Sequence, residues 1–341
     1  AYIAKYEGQV TYEVPEVYEL ANIAIALTEV GQESQYRVFK DTDYYQRVLE
    51  HFLPYADHPL LDEINYSDTD FSNYYSFREN SLAYTFDGQE LVPGGVFPPG
   101  RIWGGGGGDQ FTEHLDLIED FAQTSGFRAF YEENLDYYQT ESQAYREAAD
   151  VRGIWDWLER RFDSRYDSYR VVFSPLIYAS HSTQRFHDNG LNQVILFECG
   201  SRIYQDTAYS PEVQEGLIAK LLFTEIDHNY VGPVTDDFGS DIPQAFSPIS
   251  DSNSQEGGSL YNSATGTFDE YMTWGVFLLY AHDTFPEEVY QQVADYTINS
   301  MVESRGFIRF DEFAAEHLRL YEANPNQPIA ELYSGILEWA R

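Results

Sequence analysis

The apolar residues of this chain recur mostly at helical spacing, and runs typical of strands are few. Helical patterns cover residues 17–27, 42–55, most of 110–162, 210–231, 268–281, 286–305, 311–323 and 329–340. Strand-like patterns cover a loosely alternating segment over 1–12, a hairpin strand over 82–86 before Asp87-Gly88, and buried runs over 169–177 and 192–197. The pattern therefore predicts an α+β fold that is predominantly helical, with a small sheet.

One helix, predicted from Ser210 to Val231, carries an unusual polar interruption. Ser210 is a favourable N-cap and Pro211 suits the first helical position, and an apolar stripe then faces a core. One turn further, the same stripe runs into Thr224, Glu225 and His228. A carboxylate and an imidazole are costly to bury unless something pairs with them. We expect this helix to stop at Gly232-Pro233, which is a strong helix break.

Glycine-rich and serine-rich stretches interrupt the pattern and suggest how the chain is divided. Residues 93–108 are predicted to form a linker or a mobile loop. Residues 232–264 are predicted to form a long loop that acts as a lid or an insert. A polar turn over 180–190 contains His181 and His187. We therefore expect a mainly helical N-terminal region over 1–100 and a core over 101–341, or one continuous domain.

The charge of the chain limits its partners and suggests its environment. It has 57 acidic and 20 basic residues, so its formal net charge is -37. Only three of the basic residues are lysines. Nucleic acid and anionic membranes both require a basic face, so neither is an expected partner. No apolar stretch is long enough for a membrane span. The acidic surface is typical of high-salt adaptation. Because the chain begins at Ala1 without Met, we expect a secreted, periplasmic or cell-surface protein.

The single cysteine and the many tyrosines give weaker signals. Cys199 alone excludes an internal disulfide and a cysteine-based zinc cluster, and its apolar neighbours predict an inert core thiol. The 29 tyrosines and 23 phenylalanines fit either an aromatic core or a binding groove.

The polar residues of the central helix resemble a zinc motif with one ligand missing. In His-Glu-x-x-His, two imidazoles one turn apart bind zinc, and the glutamate acts on the metal-bound water. Here the motif reads Thr224-Glu225-Ile-Asp-His228, so Glu225 occupies the position of the base and His228 that of the second ligand. Glu270, on the next predicted helix, is a candidate third ligand. Tyr271 and Tyr280 on that helix are candidate donors to an oxyanion.

The segment Phe223–Pro233 resembles the Phe-His-Glu-x-x-His-x-Phe-Val-Asn-Pro stretch of a bacterial family of unknown function with a gluzincin-type metallopeptidase core. Further similar segments occur in the same order within residues 14–281: the 44–58 region, the aromatic run 121–138, Trp157-Leu158, Ser174-Pro175-Leu176 and the Glu270 helix. The resemblance implies a zincin-like core with a central active-site helix. It also implies Glu225 as general base, His228 and Glu270 as metal ligands, and zinc as cofactor.

Three accounts of Thr224 stay open, because a threonine hydroxyl is a poor zinc ligand beside imidazole. The metal site is dead, or a substitute ligand comes from His181, His187 or Asp227, or Glu225 and His228 are simply paired in a core.

These accounts lead to different functions. The first function is a gluzincin-type metallopeptidase-like protein with a degenerate motif, either inactive or acting on a peptide or protein through altered ligands. The second is a non-catalytic binding protein with an acidic, aromatic-rich groove. A glycoside hydrolase with paired carboxylates is a third reading, but no motif supports it.

Overall fold

A computed structural model of the chain describes residues 1–187, 189–204, 208–246, 252, 261 and 263–341, and it forms two compact units. Unit 1 comprises Ala1–Glu147 and Tyr166–Ile203, and unit 2 comprises Ala148–Arg165 and Tyr204–Arg341. This division differs from a boundary near residue 100, because residues 10–13 pair in one sheet with residues 169–172. The predicted α+β, predominantly helical class is confirmed.

Unit 1 combines ten helices of the described chain with two small sheets. Its strands are β1 Val10–Glu13, β2 Tyr84–Asp87, β3 Glu90–Pro93, β4 Ser168–Phe173, β5 Ser182–Phe186 and β6 Gln193–Glu198. Its helices are α1 Tyr2–Tyr6, α2 Glu16–Leu27, α3 Glu29–Glu33, α4 Asp43–Phe52, α5 Pro59–Glu63, α6 Phe71–Asn80, α7 Gln110–Glu113, α8 Leu115–Thr124, α9 Phe127–Glu133 and α10 Leu135–Ala148.

The larger sheet has the strand order β1-β4-β6-β5. The first three strands are parallel, and β5 joins the far edge antiparallel to β6. Every residue of β4 and β6 is buried, which is typical of parallel strands covered on both faces. Phe173 lies beside Glu198, so the carboxyl ends of β4 and β6 meet at one edge of the sheet.

Helix α2 forms the centre of the unit 1 core. All of its residues after Glu16 are buried, and burial of each Leu or Ile side chain contributes about 2 kcal/mol. Glu19 is fully buried among them. The hydroxyl of Tyr44 donates to its Oε1 at 2.6 Å, and its Oε2 has no hydrogen-bond partner in the described chain.

Unit 2 is helical throughout its described residues. Its helices are α11 Val151–Arg161, α12 Pro211–Asp237, α13 Ile242–Ala245, α14 Ala264–Thr284, α15 Glu287–Asn299, α16 Phe310–Ala323 and α17 Ala330–Ala340, with a π-helical turn over Ser300–Ser304. The predicted central helix is α12, capped by Ser210, and α14 packs along it. Gly216 allows α12 to approach α15, because a Cβ there would lie 2.6 Å from Val293 Cγ2.

The predicted stop at Gly232-Pro233 is wrong, because α12 continues to Asp237. A proline inside a helix costs about 3 kcal/mol relative to alanine. Tertiary contacts of the last turns oppose this cost. The Tyr333 hydroxyl donates to the Val231 carbonyl at 3.3 Å and lies 3.2 Å from the Thr235 hydroxyl. The Tyr333 ring stacks on Phe238, which follows the helix.

Three other sequence predictions need correction. The glycine-rich stretch 93–108 lies inside unit 1 and does not link the two units. Its backbone instead packs closely against α6. Gly107 has a positive φ, and a Cβ there would lie 2.9 Å from the backbone of Ser72. The polar turn over 180–190 contains strand β5, and the expected long loop contains the end of α12 together with α13. Residues 247–251, 253–260 and 262 of that loop lie outside the described residues.

Residues 1–12 form a helix and only the start of an edge strand. Helix α1 occupies Tyr2–Tyr6, and β1 then lies at one edge of the sheet as predicted. None of the described helices combines the length and the apolar character that a membrane span needs.

Burial raises the pKa of Glu19 to about 7, although the hydrogen bond from Tyr44 and the nearby Ser174 side chain oppose the change. Between the ordinary pKa of 4.5 and pH 7, the folded protein retains a proton that the unfolded chain has lost. The free energy of unfolding therefore falls as the pH rises through this window, by up to about 3 kcal/mol.

We predict that Glu19→Gln raises the free energy of unfolding by about 2 kcal/mol at pH 8 and changes it little at pH 5. Urea unfolding at both pH values measures the effect. Glu7→Gln, at an exposed position, is the control and should have no pH-dependent effect. An equal effect of Glu19→Gln at both pH values would contradict the prediction.

Candidate functional site

Helices α12 and α14 bring His228 and Glu270 together. The His228 Nε2 atom lies 3.6 Å from Glu270 Oε1, and its Nδ1 atom lies 3.6 Å from Asp269 Oδ2. Glu270 is buried, and His228 and Asp269 are each about one-quarter exposed. Glu225 is half-buried on α12, one turn before His228. Side chains of α12 and α14 thus form one group with Arg305, which we call the helix-pair cluster: Glu225, His228, Asp269, Glu270 and Arg305.

Arg305 joins this cluster from the end of the π-helical turn and was missed by sequence reasoning. Its Nη2 atom donates to Glu270 Oε2 at 3.0 Å and to the Tyr261 hydroxyl at 2.9 Å. Trp274 Nε1 donates to the same carboxylate oxygen at 3.1 Å, and the guanidinium lies 4.7 Å from the Trp274 ring centroid. Glu270 is therefore fully engaged by an arginine, a tryptophan and an imidazole.

Thr224, at the position of the first zinc ligand, is directed into its own helix. Its hydroxyl donates to the carbonyls of Lys220 at 3.0 Å and Leu221 at 3.2 Å, and the residue is buried. This bonding pattern is common for threonine inside a helix and satisfies the hydroxyl locally. Thr224 contributes no ligand atom to the cluster.

The carboxylates around His228 keep its imidazole protonated. Burial alone would favour the neutral ring, but contact with Asp269 and the charges of Glu270 and Glu225 outweigh it and raise the pKa of His228 to about 10. Complete burial also raises the pKa of Asp227, well above its ordinary range, which favours the uncharged carboxyl there.

Zinc does not fit the helix-pair cluster in this arrangement. A zinc site needs three or four ligand atoms converging at bonding distance with their protons removed. Here Thr224, at the first ligand position, is hydrogen-bonded to its own helix, and Glu270, at the third, is bound to a guanidinium. Asp227 belongs to no set of three ligand groups within 4.8 Å of one another in the described chain, and its role as a substitute ligand stays a prediction.

The two histidines proposed as substitute ligands belong to unit 1. His187 is exposed just after β5. His181 lies just before β5, where its Nδ1 atom is 2.8 Å from Glu198 Oε2. Within the described residues, His181, Glu198 and Cys199 are the one set whose three ligand atoms all lie within 4.8 Å of one another. The role of His181 or His187 as a ligand of the central helix stays a prediction.

Tyr271 and Tyr280 have structural roles on α14. The Tyr271 hydroxyl donates to the Ser252 carbonyl at 2.6 Å and accepts from the Arg309 backbone at 3.1 Å. The Tyr280 ring stacks on Phe223 and is buried. Neither residue belongs to the helix-pair cluster.

We predict that His228 titrates near pH 10 in the folded protein, which imidazole NMR signals can measure directly. Asp269→Asn removes one of the two carboxylates that lie 3.6 Å from the imidazole and should lower the pKa of His228 toward its ordinary value of 6.5. Asp237→Asn, at the exposed end of α12, is the matched control and should leave the titration unchanged. Titration of His228 near 6.5 in the unmodified protein would contradict this account of the cluster.

Comparison of the chain with protein-family models, with curated protein sequences and with solved structures finds no match. The gluzincin resemblance therefore rests on the quoted residues alone and stays a prediction. What the clustered side chains can do chemically must guide the functional conclusion.

Proposed function

We propose that this chain is a non-catalytic, metallopeptidase-like protein that works by binding a peptide or protein segment. In this proposal, unit 2 has a zincin-like helix pair in which fixed charges have replaced the metal. The observation that carries the proposal is the Arg305 guanidinium, which bonds the Glu270 carboxylate at 3.0 Å.

Arg305 and His228 supply the positive charge that a divalent ion supplies in an active gluzincin site. Three carboxylates, those of Glu225, Asp269 and Glu270, surround these two cations. Buried or half-buried charges of one sign repel strongly unless they are compensated. A guanidinium is always charged and cannot activate a water molecule as zinc does. In this proposal the cluster therefore keeps its carboxylates compensated, as a metal ion would, but it cannot activate water for hydrolysis.

A pocket in unit 1 supports the binding part of the proposal. It has a volume of about 240 Å³ and is lined mainly by aromatic and apolar side chains, with Arg170 and Glu16 as charged groups. Ligand clefts for whole small molecules usually have volumes of about 300–1,000 Å³. A pocket of this size suits one side chain of a peptide. Arg170 is held by Glu13 at 2.8 Å, so its charge is already compensated.

The proposal that the unit 2 cluster holds no metal is tested by rebuilding the zinc site. The experiments use a Cys199→Ser background, in which the unit 1 thiol cannot bind zinc. Thr224→His restores the missing imidazole one turn from His228. We predict that this change alone does not confer zinc binding on unit 2, because Arg305 still occupies Glu270. Adding Arg305→Met should yield one bound zinc per chain, measured by metal analysis after dialysis.

The matched control combines Thr224→His with Arg309→Met, since Arg309 pairs with the exposed Glu312 and not with the cluster. Zinc that binds to the Cys199→Ser protein and is lost on Glu270→Gln would overturn the metal-free proposal. Absence of zinc from the Thr224→His, Arg305→Met protein would instead remove the gluzincin resemblance. Peptide hydrolysis that is abolished by Glu225→Gln would contradict the non-catalytic assignment.

The binding part is tested with an array of peptides that vary in one aromatic, aliphatic or basic side chain. We predict a discrete set of binders whose affinity falls at least about tenfold with Val96→Trp, which fills the unit 1 pocket, a loss of about 1.4 kcal/mol. Val92→Trp, at a half-buried position in β3 outside the pocket, is the control. Equal binding by both variants would place the binding surface elsewhere, and absence of any binder would reject this binding mode.

A further inference from the structure

A buried group of nitrogen, oxygen and sulfur ligands lies at the edge of the unit 1 sheet where β4 and β6 end. Glu198 is the last residue of β6, Cys199 follows it, and His181 immediately precedes β5. Both Glu198 and Cys199 are completely buried, and the His181 side chain is 14% exposed. We propose that these three residues form a binding site for one zinc-type divalent cation, and we call it the sheet-edge site.

The strand register explains why these residues meet. Strand β5 pairs antiparallel with β6, and its first residue, Ser182, lies opposite Phe197. One step further along both strands places His181 opposite Glu198, where side chains of antiparallel neighbours are about 5 Å apart. The Cys199 sulfur completes the group, with all three ligand atoms within 4.8 Å of one another. The geometry follows from the sheet and does not require a mobile loop.

The donor set selects a class of metal. Imidazole and thiolate ligands favour zinc and its neighbours in the transition series, while magnesium and calcium favour oxygen ligands only. One carboxylate with one imidazole and one thiolate gives three protein ligands, which leaves one coordination position open.

The charges around the sheet-edge site also fit a divalent ion. Arg78 and Glu79 are both fully buried, their Nη2 and Oε1 atoms are 3.9 Å apart, and their charges offset each other. Zinc ligands bind in their deprotonated form, so Glu198 and Cys199 would bring two negative charges to a bound ion. A divalent cation makes this group neutral, which is the condition for burying charge at low cost.

Glu198 provides a second, independent indication of a ligand. It is completely buried, and apart from the His181 Nδ1 atom 2.8 Å from Oε2, no group donates a hydrogen bond to its carboxylate oxygens in the described part of the chain. Buried carboxylates are almost always satisfied by hydrogen bonds, by a paired charge or by a metal. The neighbouring Glu79 shows the contrast, since the Ser182 hydroxyl and the Gln184 amide both donate to it.

Hydrogen bonds from neighbouring side chains hold the strand that follows His181 in place. The Tyr75 hydroxyl, on α6, donates to the His181 backbone carbonyl at 3.2 Å. The Gln184 amide of β5 donates to Glu79, also on α6, at 3.0 Å. These bonds fix α6 against β5 and leave the His181 ring and the Glu198 carboxylate directed at each other. A metal-free His181–Glu198 ion pair is the competing account of the same geometry.

Cobalt(II) binding to the full-length protein distinguishes these two accounts. After removal of metals with a chelator, titration with Co²⁺ should produce visible d–d bands and a near-ultraviolet thiolate-to-cobalt band that saturate at one ion per chain. Zinc should displace the cobalt and raise the melting temperature, because it binds the folded state only. Cys199→Ser should abolish the thiolate band, and Glu198→Gln, which preserves side-chain shape, should weaken Co²⁺ binding at least about tenfold.

Two controls assign the signal to the sheet-edge site. His187→Ala changes the exposed histidine at the other end of β5 and should leave the titration unchanged. Glu270→Gln alters the helix-pair cluster and should also leave it unchanged, so this result is independent of the outcome for unit 2. The proposal is overturned if the unmodified protein gives no thiolate-to-cobalt band, or if Co²⁺ binds equally well to Cys199→Ser and Glu198→Gln proteins that retain native circular dichroism.

Discussion

Carboxylates that are removed from water need a positive charge beside them, and in unit 2 the Arg305 guanidinium meets this need for Glu270. Its hydrogen bond to Glu270, together with that from Trp274, ties α14 to the turn that follows α15. His228 extends the same network to α12. Replacing one member by a neutral residue leaves the others as uncompensated charge, which costs more than the lost bond. The arrangement of three segments of unit 2 therefore depends on one arginine.

In unit 1, several separate arginines provide the positive charge beside acidic side chains that are removed from water. Arg170 is buried against Glu13, and Arg78 is buried between Glu79 and the rings of Tyr74 and Tyr75. Guanidinium groups suit these places because they are weakly hydrated and stack on aromatic rings. The scarcity of lysine in a chain with so many acidic residues is consistent with this use. Tyrosine is then a natural core residue, because it offers both a stacking face and a hydroxyl.

The sequence predicted the parts of the site that depend on local spacing. The i, i+3 relation of Glu225 and His228 follows from helical periodicity, and the Glu270 helix was recognisable from its apolar pattern. Arg305 could not be found this way, because it lies 35 residues beyond Glu270 and after a π-helical turn. Strand β5 was missed because Ser182–Phe186 is mostly polar and shows no apolar alternation. The pairing of His181 with Glu198 depends on the register of that strand, so the sequence pattern could not predict it either.

The position of Cys199 has a practical consequence for measuring the motions of unit 1. It is the single thiol of the chain and is completely buried at the end of β6. A thiol-specific reagent can reach it only when the sheet edge opens, so the alkylation rate reports the free energy of that opening. Because unit 2 contains no cysteine, such labelling follows one half of the molecule alone without any introduced probe.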